Sequence, residues 1–430
     1  MADRKAFRAS ILHCLADPGE QANPGAVEYF ADGMLIVEDG CVAALGEADR
    51  VAADLGEDVE LIDHSGKLIV PGFVDCHVHF SQLDIIGSYG EQLLDWLERY
   101  AYPAEQAFAD ARHARTTAEY FVEELLRNGT TTALVFPTVH PQSVDAIFAA
   151  ANKRGMRLLS GKVLMDQNCP GPLRDDPESA YRESRQLIEK WHGKDRLGYA
   201  ITPRFAVTSS EAQLKAAGLL ASEFPDVHVH THLAENRDEC AAVAQQFPWS
   251  RSYLDVYAQL GLVRERSVFA HCLHLDDADR QQLAQSGAAI AFCPTSNLFL
   301  GSGLFDLRAV RDCGIRSGIG TDVGGGTSLN MFRTLNEAYK VLQLQGQPLP
   351  GFRALYLATL GAANALYLDD KIGNFAPGKE ADFVVIDGAA SSLTERRLSR
   401  TKDIAEKLFA LIMLGDDRSI SETYILGIPA

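Results

Sequence analysis

The sequence predicts an α/β fold built on a (β/α)8 barrel, with a small β-sandwich formed by the N- and C-terminal segments. From about residue 73 onward, short β-branched runs alternate with longer amphipathic stretches, a pattern typical of a parallel sheet covered by helices. Before residue 70 and again near the C-terminus, short strands and Gly/Asp turns replace the helical periodicity. The first pattern predicts the barrel, and the second predicts the sandwich.

Eight of the β-branched runs are interpreted as barrel strands, which is the number that closes a TIM-like barrel. These runs cover residues 73–79, 130–136, 157–165, 198–203, 227–233, 267–272, 288–293 and 316–321. Helical stretches such as 141–151 and 209–220 lie between them and open with capping residues. Gly155, Gly287 and Gly314 are placed to end helices ahead of a strand.

The two ends of the chain are expected to form one domain together. Residues 1–70 and 371–430 each contain too few strands for a core of their own, so we predict that they pair into a composite β-sandwich. Residues 71–370 are predicted to form the barrel, which would carry the catalytic site.

Composition argues against several classes of function. The formal net charge of −18, from 40 basic and 58 acidic residues, speaks against nucleic-acid binding, because that needs clustered Lys and Arg. Residues 1–18 lack the apolar core of a signal peptide, and no stretch approaches the ~20 apolar residues of a membrane span. We therefore expect a cytoplasmic protein with no membrane partner. The eight cysteines contain no C-x-x-C pair, which favours reduced thiols.

Polar side chains collect at the C-terminal ends of four predicted strands, where barrel enzymes keep their catalytic groups. The first strand ends in His77 and His79, and because strand side chains alternate with period two, both point into the barrel. The fifth strand ends at His232, the sixth supplies His271, and the eighth runs into Asp322. A single polar residue at a strand end would be weak evidence. Four strands that each bring such a residue to the same rim of the barrel indicate a functional site.

Several neighbouring residues are better explained by structure than by chemistry. His228 and His230 share a face with His232 but lie lower in the strand, where a packed histidine is more common than a metal ligand. The glycine run 324–326 lacks the G-x-x-x-x-G-K-[ST] pattern of a phosphate loop. Ser302 lacks the G-x-S-x-G context of a nucleophile.

The strand-end group suits a divalent metal ion. Three neutral histidines and one carboxylate form a ligand set for zinc, while iron or another first-row ion is also compatible. Such a set leaves an open position for water, whose pKa falls to about 7 on the ion. The residues therefore predict a metal-dependent hydrolase with one ion per subunit.

The segment PGFVDCHVH at 71–79, with His232, His271 and Asp322, resembles the amidohydrolase superfamily, whose members combine this barrel with an N/C-terminal β-sandwich. The H-x-x-E pattern of His232 and Glu235 resembles its mononuclear deaminases, and nothing supports Lys162 as the modified lysine of the binuclear members. Within the superfamily the chain resembles the guanine deaminases over nearly its whole length. The matching segments include HFSQ at 79–82, LDWLERYAYPAE at 94–105, TPRF at 202–205, ENRDE at 235–239, CPTSNL at 293–298 and IGNFAPGKEAD at 372–382.

This resemblance implies a ligand set and a mechanism. The implied metal ligands are His77, His79, His232 and Asp322. Asp322 would also take a proton from the attacking water, and His271 would steady the resulting hydroxide. Glu235 would pass a proton to a ring nitrogen of guanine, so that the tetrahedral centre at C2 expels ammonia and leaves xanthine.

The same resemblance implies the substrate contacts. A Gln and an Arg at the positions of Gln82 and Arg204 touch the purine and match an oxygen-bearing edge, and Phe205 is expected to line the ring. Phe80 departs from the pattern, because better-known relatives carry a small residue there, and it is expected close to the pocket. Relatives are commonly homodimers that act in purine catabolism, so a homodimer is expected as well.

Two alternatives stay open. A sibling deaminase acting on another aminopurine, a pterin or a triazine would use the same metal chemistry. A non-catalytic scaffold that kept the barrel is the rival of a different class, and the complete ligand set with Glu235 argues against it.

Overall fold

The structure is a computed structural model that describes residues 4–53, 55, 59–90 and 92–430. The chain divides into two compact units. The first contains the described residues of 1–74, 124–132 and 330–430, and the second contains those of 75–123 and 133–329. The first unit thus includes 330–370, which the sequence analysis assigned to the barrel domain; the domain division at residues 70 and 370 stays a prediction.

The strands are numbered along the chain. They are β1 Arg4–Cys14, β2 Val27–Glu38, β3 Cys41–Glu47, β4 Glu60–Pro71, β5 Phe73–His79, β6 Thr130–Phe136, β7 Arg157–Ser160, β8 Val163–Leu164, β9 Leu197–Pro203, β10 His228–Leu233, β11 Ser267–His271, β12 Ala289–Phe292, β13 Arg316–Ile319, β14 Phe383–Ile386, β15 Ile420–Ile425 and β16 Ile428–Pro429.

The α-helices are numbered in the same way. They are α1 Ala48–Ala52, α2 Leu93–Trp96, α3 Tyr102–Gln106, α4 Ala111–Arg127, α5 Pro141–Lys153, α6 Pro177–Trp191, α7 Glu211–Glu223, α8 Arg237–Gln246, α9 Tyr253–Gln259, α10 Asp277–Ser286, α11 Pro294–Phe299, α12 Leu307–Asp312, α13 Met331–Gln343, α14 Gly351–Ala358, α15 Leu360–Ala365, α16 Ser392–Leu398 and α17 Ile404–Leu414. A π-helical turn at Leu97–Ala101 joins α2 to α3. In the part of the chain that the structure describes, no helix combines the length and the apolar character needed to cross a membrane.

Strands from both ends of the chain form one sheet in the first unit. Its order is β16-β15-β14-β4-β1-β2-β3. The C-terminal strand β14 pairs antiparallel with β4, and β4 pairs parallel with β1. The predicted pairing of strands from the two chain ends is therefore confirmed, and in the described residues they form one sheet.

An aromatic cluster shows why neither chain end is sufficient to form a hydrophobic core alone. Phe7 of β1 packs edge-on against Phe383 of β14, with 4.9 Å between ring centroids, and Phe383 stacks on Tyr424 of β15 at 4.5 Å. All three rings are almost fully buried. Because large aromatic side chains contribute most of the apolar area in a small core, the N-terminal strand needs its C-terminal neighbours to bury its own ring.

The second sheet is the predicted barrel, with strand order β13-β12-β11-β10-β9-β7-β6-β5 and with β8 also paired to β9. Neighbouring pairs from β9 to β13 are parallel. Beyond the end of β13, two backbone hydrogen bonds connect the chain to β5. The N–H of Asp322 donates to the carbonyl of His77, and the N–H of His79 donates to the carbonyl of Val323, both at 2.8 Å. The fold class predicted from the sequence is confirmed.

One predicted strand is two strands in the structure. The run 157–165 is divided into β7 and β8 by residues 161–162. A Cβ atom on Gly161 would lie 1.8 Å from the carbonyl oxygen of Ala200, so the backbone of β9 approaches here more closely than any side chain would allow. The break lies between two apolar segments, so hydrophobic patterning did not reveal it.

Candidate active site

Four of the strand-end residues come together as a possible metal site in the second unit. Nε2 of His79 lies 3.2 Å from Nε2 of His77 and 3.2 Å from Nε2 of His232. Oδ1 of Asp322 lies 3.1 Å from His77 Nε2 and 3.4 Å from His79 Nε2. Two atoms that both bind a tetrahedral zinc ion at 2.0–2.1 Å are about 3.3 Å apart. The donor atoms are therefore spaced as ligands of one ion.

Hydrogen bonds at the far side of two imidazole rings leave Nε2 free to bind a metal. Nδ1 of His232 donates to the backbone carbonyl of Arg204 at 2.6 Å, and Nδ1 of His77 lies 2.7 Å from Nε2 of His230. A ring that carries its proton on Nδ1 presents a lone pair on Nε2. Burial lowers the pKa of His77, and it lowers those of His79 and His232 well below the ordinary value. Neutral rings are the form that a metal ion requires.

Asp322 is held as a carboxylate. Burial alone would raise its pKa, but the neighbouring His77 and His271 lower it to about 2. Its backbone has a positive φ of 50°, and His271 and Cys272 at the end of β11 have φ values of 70° and 56°. Non-glycine residues rarely adopt this conformation, and when they do they cluster at functional sites.

His271 lies between the two acidic groups that the sequence analysis selected. Its Nε2 is 3.4 Å from Oε2 of Glu235 and 3.6 Å from Oδ2 of Asp322. Its Nδ1 contacts Oδ1 of Asn297 at 2.8 Å, which turns Nε2 toward the carboxylates. Burial lowers the pKa of His271, but Glu235 and Asp322 raise it by more, so the net direction is upward.

Glu235 is buried and has a shifted pKa. Burial is the largest cause, and the pKa of this carboxyl rises to about 7. Its Oε1 accepts a hydrogen bond of 3.0 Å from the hydroxyl of Ser302, and its backbone N–H donates to Oε2 of Glu239 at 2.8 Å. A carboxyl group with a pKa near neutrality can both give and take a proton at physiological pH.

His79, His232, Glu235 and Asp322 line one cavity. Its lining combines the polar groups with apolar side chains from α2 and from the loops around the barrel rim. The lining residues are His79, Gln82, Leu93, Trp96, Leu97, Arg204, Phe205, His232, Glu235, Ser296, Leu300, Asp322 and Gly325. Apolar walls with a few polar groups suit a planar heterocycle whose edges carry hydrogen-bonding atoms.

The structure places the three predicted substrate contacts in this cavity lining, but Phe80 is not among them. The Phe80 ring is buried against Phe108, with 5.1 Å between centroids. Lys162 forms a buried ion pair with Asp175 and lies outside the metal-ligand groups found in the described residues. Cys293 joins His271 and Asp322 in a second such group, with donor atoms within 4.8 Å of one another.

Sequence reasoning missed four residues that support the site. Asn297 and Ser302 hold His271 and Glu235, His230 contacts His77, and Glu105 contacts both Gln82 and Arg204. For His230 there was a signal, since it shares a strand face with His232, although its position below the rim argued against a ligand. The other three lie in two short helices and a loop, and no periodicity marks them.

Comparisons with known proteins agree with this geometry. The model of the Amidohydrolase family matches residues 68–428. The guanine deaminase of Escherichia coli (strain K12) is 50% identical over 426 residues, which cover 98% of this chain and 97% of the relative. The solved E. coli guanine deaminase structure superposes with a TM-score of 0.96 over 99% of both chains. A guanine deaminase from C. acetobutylicum, solved with guanine bound in its active site, is 28% identical and superposes with a TM-score of 0.89 over 99% of both chains.

Proposed function

This chain belongs to the amidohydrolase family. From its similarity to guanine deaminases we infer that it is a guanine deaminase, a hydrolase that converts guanine and water to xanthine and ammonia. The observation that carries this function is the 50% identity to a guanine deaminase across 98% of the chain. The site supports it, because one cavity contains a metal-ligand group, a buried glutamate with a raised pKa and polar groups for an oxygen-bearing heterocycle.

The enzyme is metal-dependent, as the family is, and we propose zinc as the resident ion, one per subunit. The proposed ligands are Nε2 of His77, His79 and His232 and a carboxylate oxygen of Asp322, whose spacing fits tetrahedral coordination. Iron or another first-row ion fits the same donors. The ion, when bound, supplies a positive charge that makes water a nucleophile at neutral pH.

Asp322 and His271 act on the attacking water in the proposed mechanism. Asp322 is ionised, so it accepts the proton that the water loses as its oxygen bonds to C2 of guanine. His271 faces the same space as Asp322 and donates a hydrogen bond to the attacking oxygen. Its raised pKa favours the protonated ring that this donation needs.

Glu235 acts on the substrate. In its protonated form it gives its proton to N3 of guanine while the water attacks, which creates a tetrahedral carbon at C2. The proton held by Asp322 then reaches the amino group, the C2–N bond breaks and ammonia leaves. The remaining hydroxyl proton returns to Glu235 as the C2 carbonyl of xanthine forms. Ser302 holds one Glu235 oxygen, which leaves the other oxygen beside His271 for this shuttle.

Gln82, Arg204 and Phe205 are the proposed substrate contacts. Arg204 supplies donors for a carbonyl oxygen, and the amide oxygen of Gln82 supplies an acceptor. Phe205 presents an apolar face with 3% of its surface exposed. Together they recognise a purine that carries an oxygen on its six-membered ring.

Three finer properties remain predictions: a cytoplasmic location, a homodimeric assembly and a role in purine catabolism. Sedimentation of the purified protein at several concentrations tests the dimer. A mass of one subunit, about 47 kDa, at every concentration would contradict it.

The experiment that tests the function uses the purified, metal-replete enzyme. It is incubated with guanine, adenine, cytosine, guanosine and a pterin, and ammonia release is measured beside a chelator-treated sample. We expect rapid, metal-dependent release from guanine alone. Release from another compound instead would assign the chain to a sibling deaminase. No release from any compound by enzyme with metal bound would favour the scaffold alternative.

A further inference from the structure

We infer that Glu105 is a positioning residue for substrate recognition, because one buried carboxylate orients both Gln82 and Arg204 toward the oxygen-bearing edge of the purine. This inference rests on the proposed function. Glu105 is not part of the cavity lining, so it acts through the two side chains that are. It is fully buried, with 0% of its surface exposed.

The contacts of Glu105 are short and charge-assisted. Nη1 of Arg204 lies 2.7 Å from one carboxylate oxygen and 2.6 Å from the other. Nε2 of Gln82 donates to the first of these oxygens at 3.0 Å. Hydrogen bonds of this kind are shorter and stronger than those between neutral groups, so they restrict the rotamers of both partners.

The helix that carries Glu105 holds Arg204 at a second point. The Tyr102 ring lies under the guanidinium, with 5.3 Å from Cζ of Arg204 to the ring centroid. Tyr102 and Glu105 are both in α3 and three residues apart, so they project from one helix face. A single rigid element therefore fixes the plane of the guanidinium and the direction of one of its nitrogens.

The carboxylate also decides which way the Gln82 amide points. A carboxylate can only accept hydrogen bonds, so the NH2 group of Gln82 faces Glu105. On the other side, Oε1 of Gln82 accepts from the backbone N–H of Gly324 at 3.2 Å. Nε2 of Gln82 also lies 3.3 Å from Nδ1 of His79. These three contacts leave one lone pair of the amide oxygen for a ligand.

The arrangement predicts a preference for a purine with a carbonyl at C6. Arg204 engages Glu105 through only one of its three nitrogens, which leaves donors oriented for a substrate oxygen. Glu105 also neutralises the guanidinium, and an unpaired charge at this depth would be costly. A purine without the C6 oxygen has no acceptor for these donors, so their orientation does not improve its binding.

The test compares guanine with 2-aminopurine, which carries the same amino group at C2 but no oxygen at C6. The variant is Glu105→Gln, and its matched control is Glu98→Gln, the same chemical change at an exposed position of the adjoining π-helical turn. We expect E105Q to lower kcat/KM for guanine about tenfold or more, mainly through KM. For 2-aminopurine, followed as a substrate or as a competitive inhibitor, kcat/KM or Ki should change by less than about threefold. Equal losses for both compounds would overturn the inference, because a merely structural role does not distinguish them.

A double-mutant cycle with Arg204→Ala tests whether Glu105 acts through Arg204. The effect of E105Q on guanine should largely disappear in the R204A background, and a full additive loss would contradict the inference. If E105Q does not fold, Glu105→Asp keeps the charge and takes its place.

A crystal structure of the metal-loaded variant separates this inference from the proposed function. Displaced Arg204 and Gln82 side chains support the positioning role even if the wild-type enzyme does not deaminate guanine. Unchanged side chains overturn it, whatever the activity.

Discussion

The substitution Glu235→Gln removes one titratable group from the cavity and changes little else. Glutamine has the same length and nearly the same volume, so no cavity forms in the core. Its amide oxygen can still accept the hydrogen bond from Ser302. The bond from the residue 235 backbone N–H to Glu239 does not involve the side chain at all. Glu235 also lies outside the group of four proposed metal ligands.

The expected loss in turnover follows from the role of the proton. General acid–base groups contribute about 10²- to 10⁴-fold to rate, which corresponds to roughly 2.7–5.4 kcal/mol at 1.36 kcal/mol per factor of ten. An amide cannot replace the carboxyl, because it does not titrate in the relevant range. We therefore expect kcat to fall by about 10²-fold or more, with metal content and melting temperature unchanged.

The assay follows ammonia release from guanine under saturating substrate, and elemental analysis measures metal per chain. Glu98→Gln provides the control, since it makes the same chemical change at an exposed position. Loss of the metal in E235Q would place Glu235 among the ligands and refute the assignment. A kcat within about threefold of the wild-type value would remove it from the proton shuttle.

Three further predictions concern the same cavity. Arg204→Ala should raise KM for guanine about tenfold or more with the metal retained, and unchanged kinetics would exclude Arg204 from the pocket. Glu235 must be protonated to act as the general acid, and its pKa lies at about 7, so kcat/KM should fall about tenfold per pH unit above that value. A pH profile that stays flat up to pH 9 would contradict this expectation. The residual activity of E235Q should not show this decrease at high pH. Removal of the metal by a chelator should abolish activity and lower the melting temperature, because an ion at about 1,000 times its Kd stabilises the fold by about 4 kcal/mol. Added zinc should restore activity and melting temperature in the wild type but not in His79→Ala.

The barrel could be predicted from the sequence because the patterns that indicate it lie within short segments. Each strand has its own apolar run, and the bounds of β5 and β6 agree with the predicted residues 73–79 and 130–136. Period-two alternation was enough to place His77 and His79 on one face, and their Nε2 atoms are 3.2 Å apart. The break at Gly161 was not accessible, because it depends on the approach of a strand that lies 39 residues further along the chain.

Residues that act through a partner distant in sequence were harder to find. Glu105 is 99 residues from Arg204, and a glutamate on a helix is usually solvated. Asn297 lies within α11 and Ser302 in the loop that follows it, and polar side chains at such positions often bond only to nearby backbone. Nothing in their neighbourhoods indicated that they hold His271 and Glu235.

The sequence by itself thus determined the barrel, the joint β-domain of the two chain ends, the strand-end histidines and aspartate, and the family with its reaction. Periodicity and strand-end position are properties of short segments, so they can be identified without knowledge of the fold. Only the tertiary structure decided which donor atoms are about 3.2 Å apart, which carboxylates are buried and what Glu105 touches. Burial and distance between remote segments set pKa values and orientation, and they exist only after the chain has closed into a barrel.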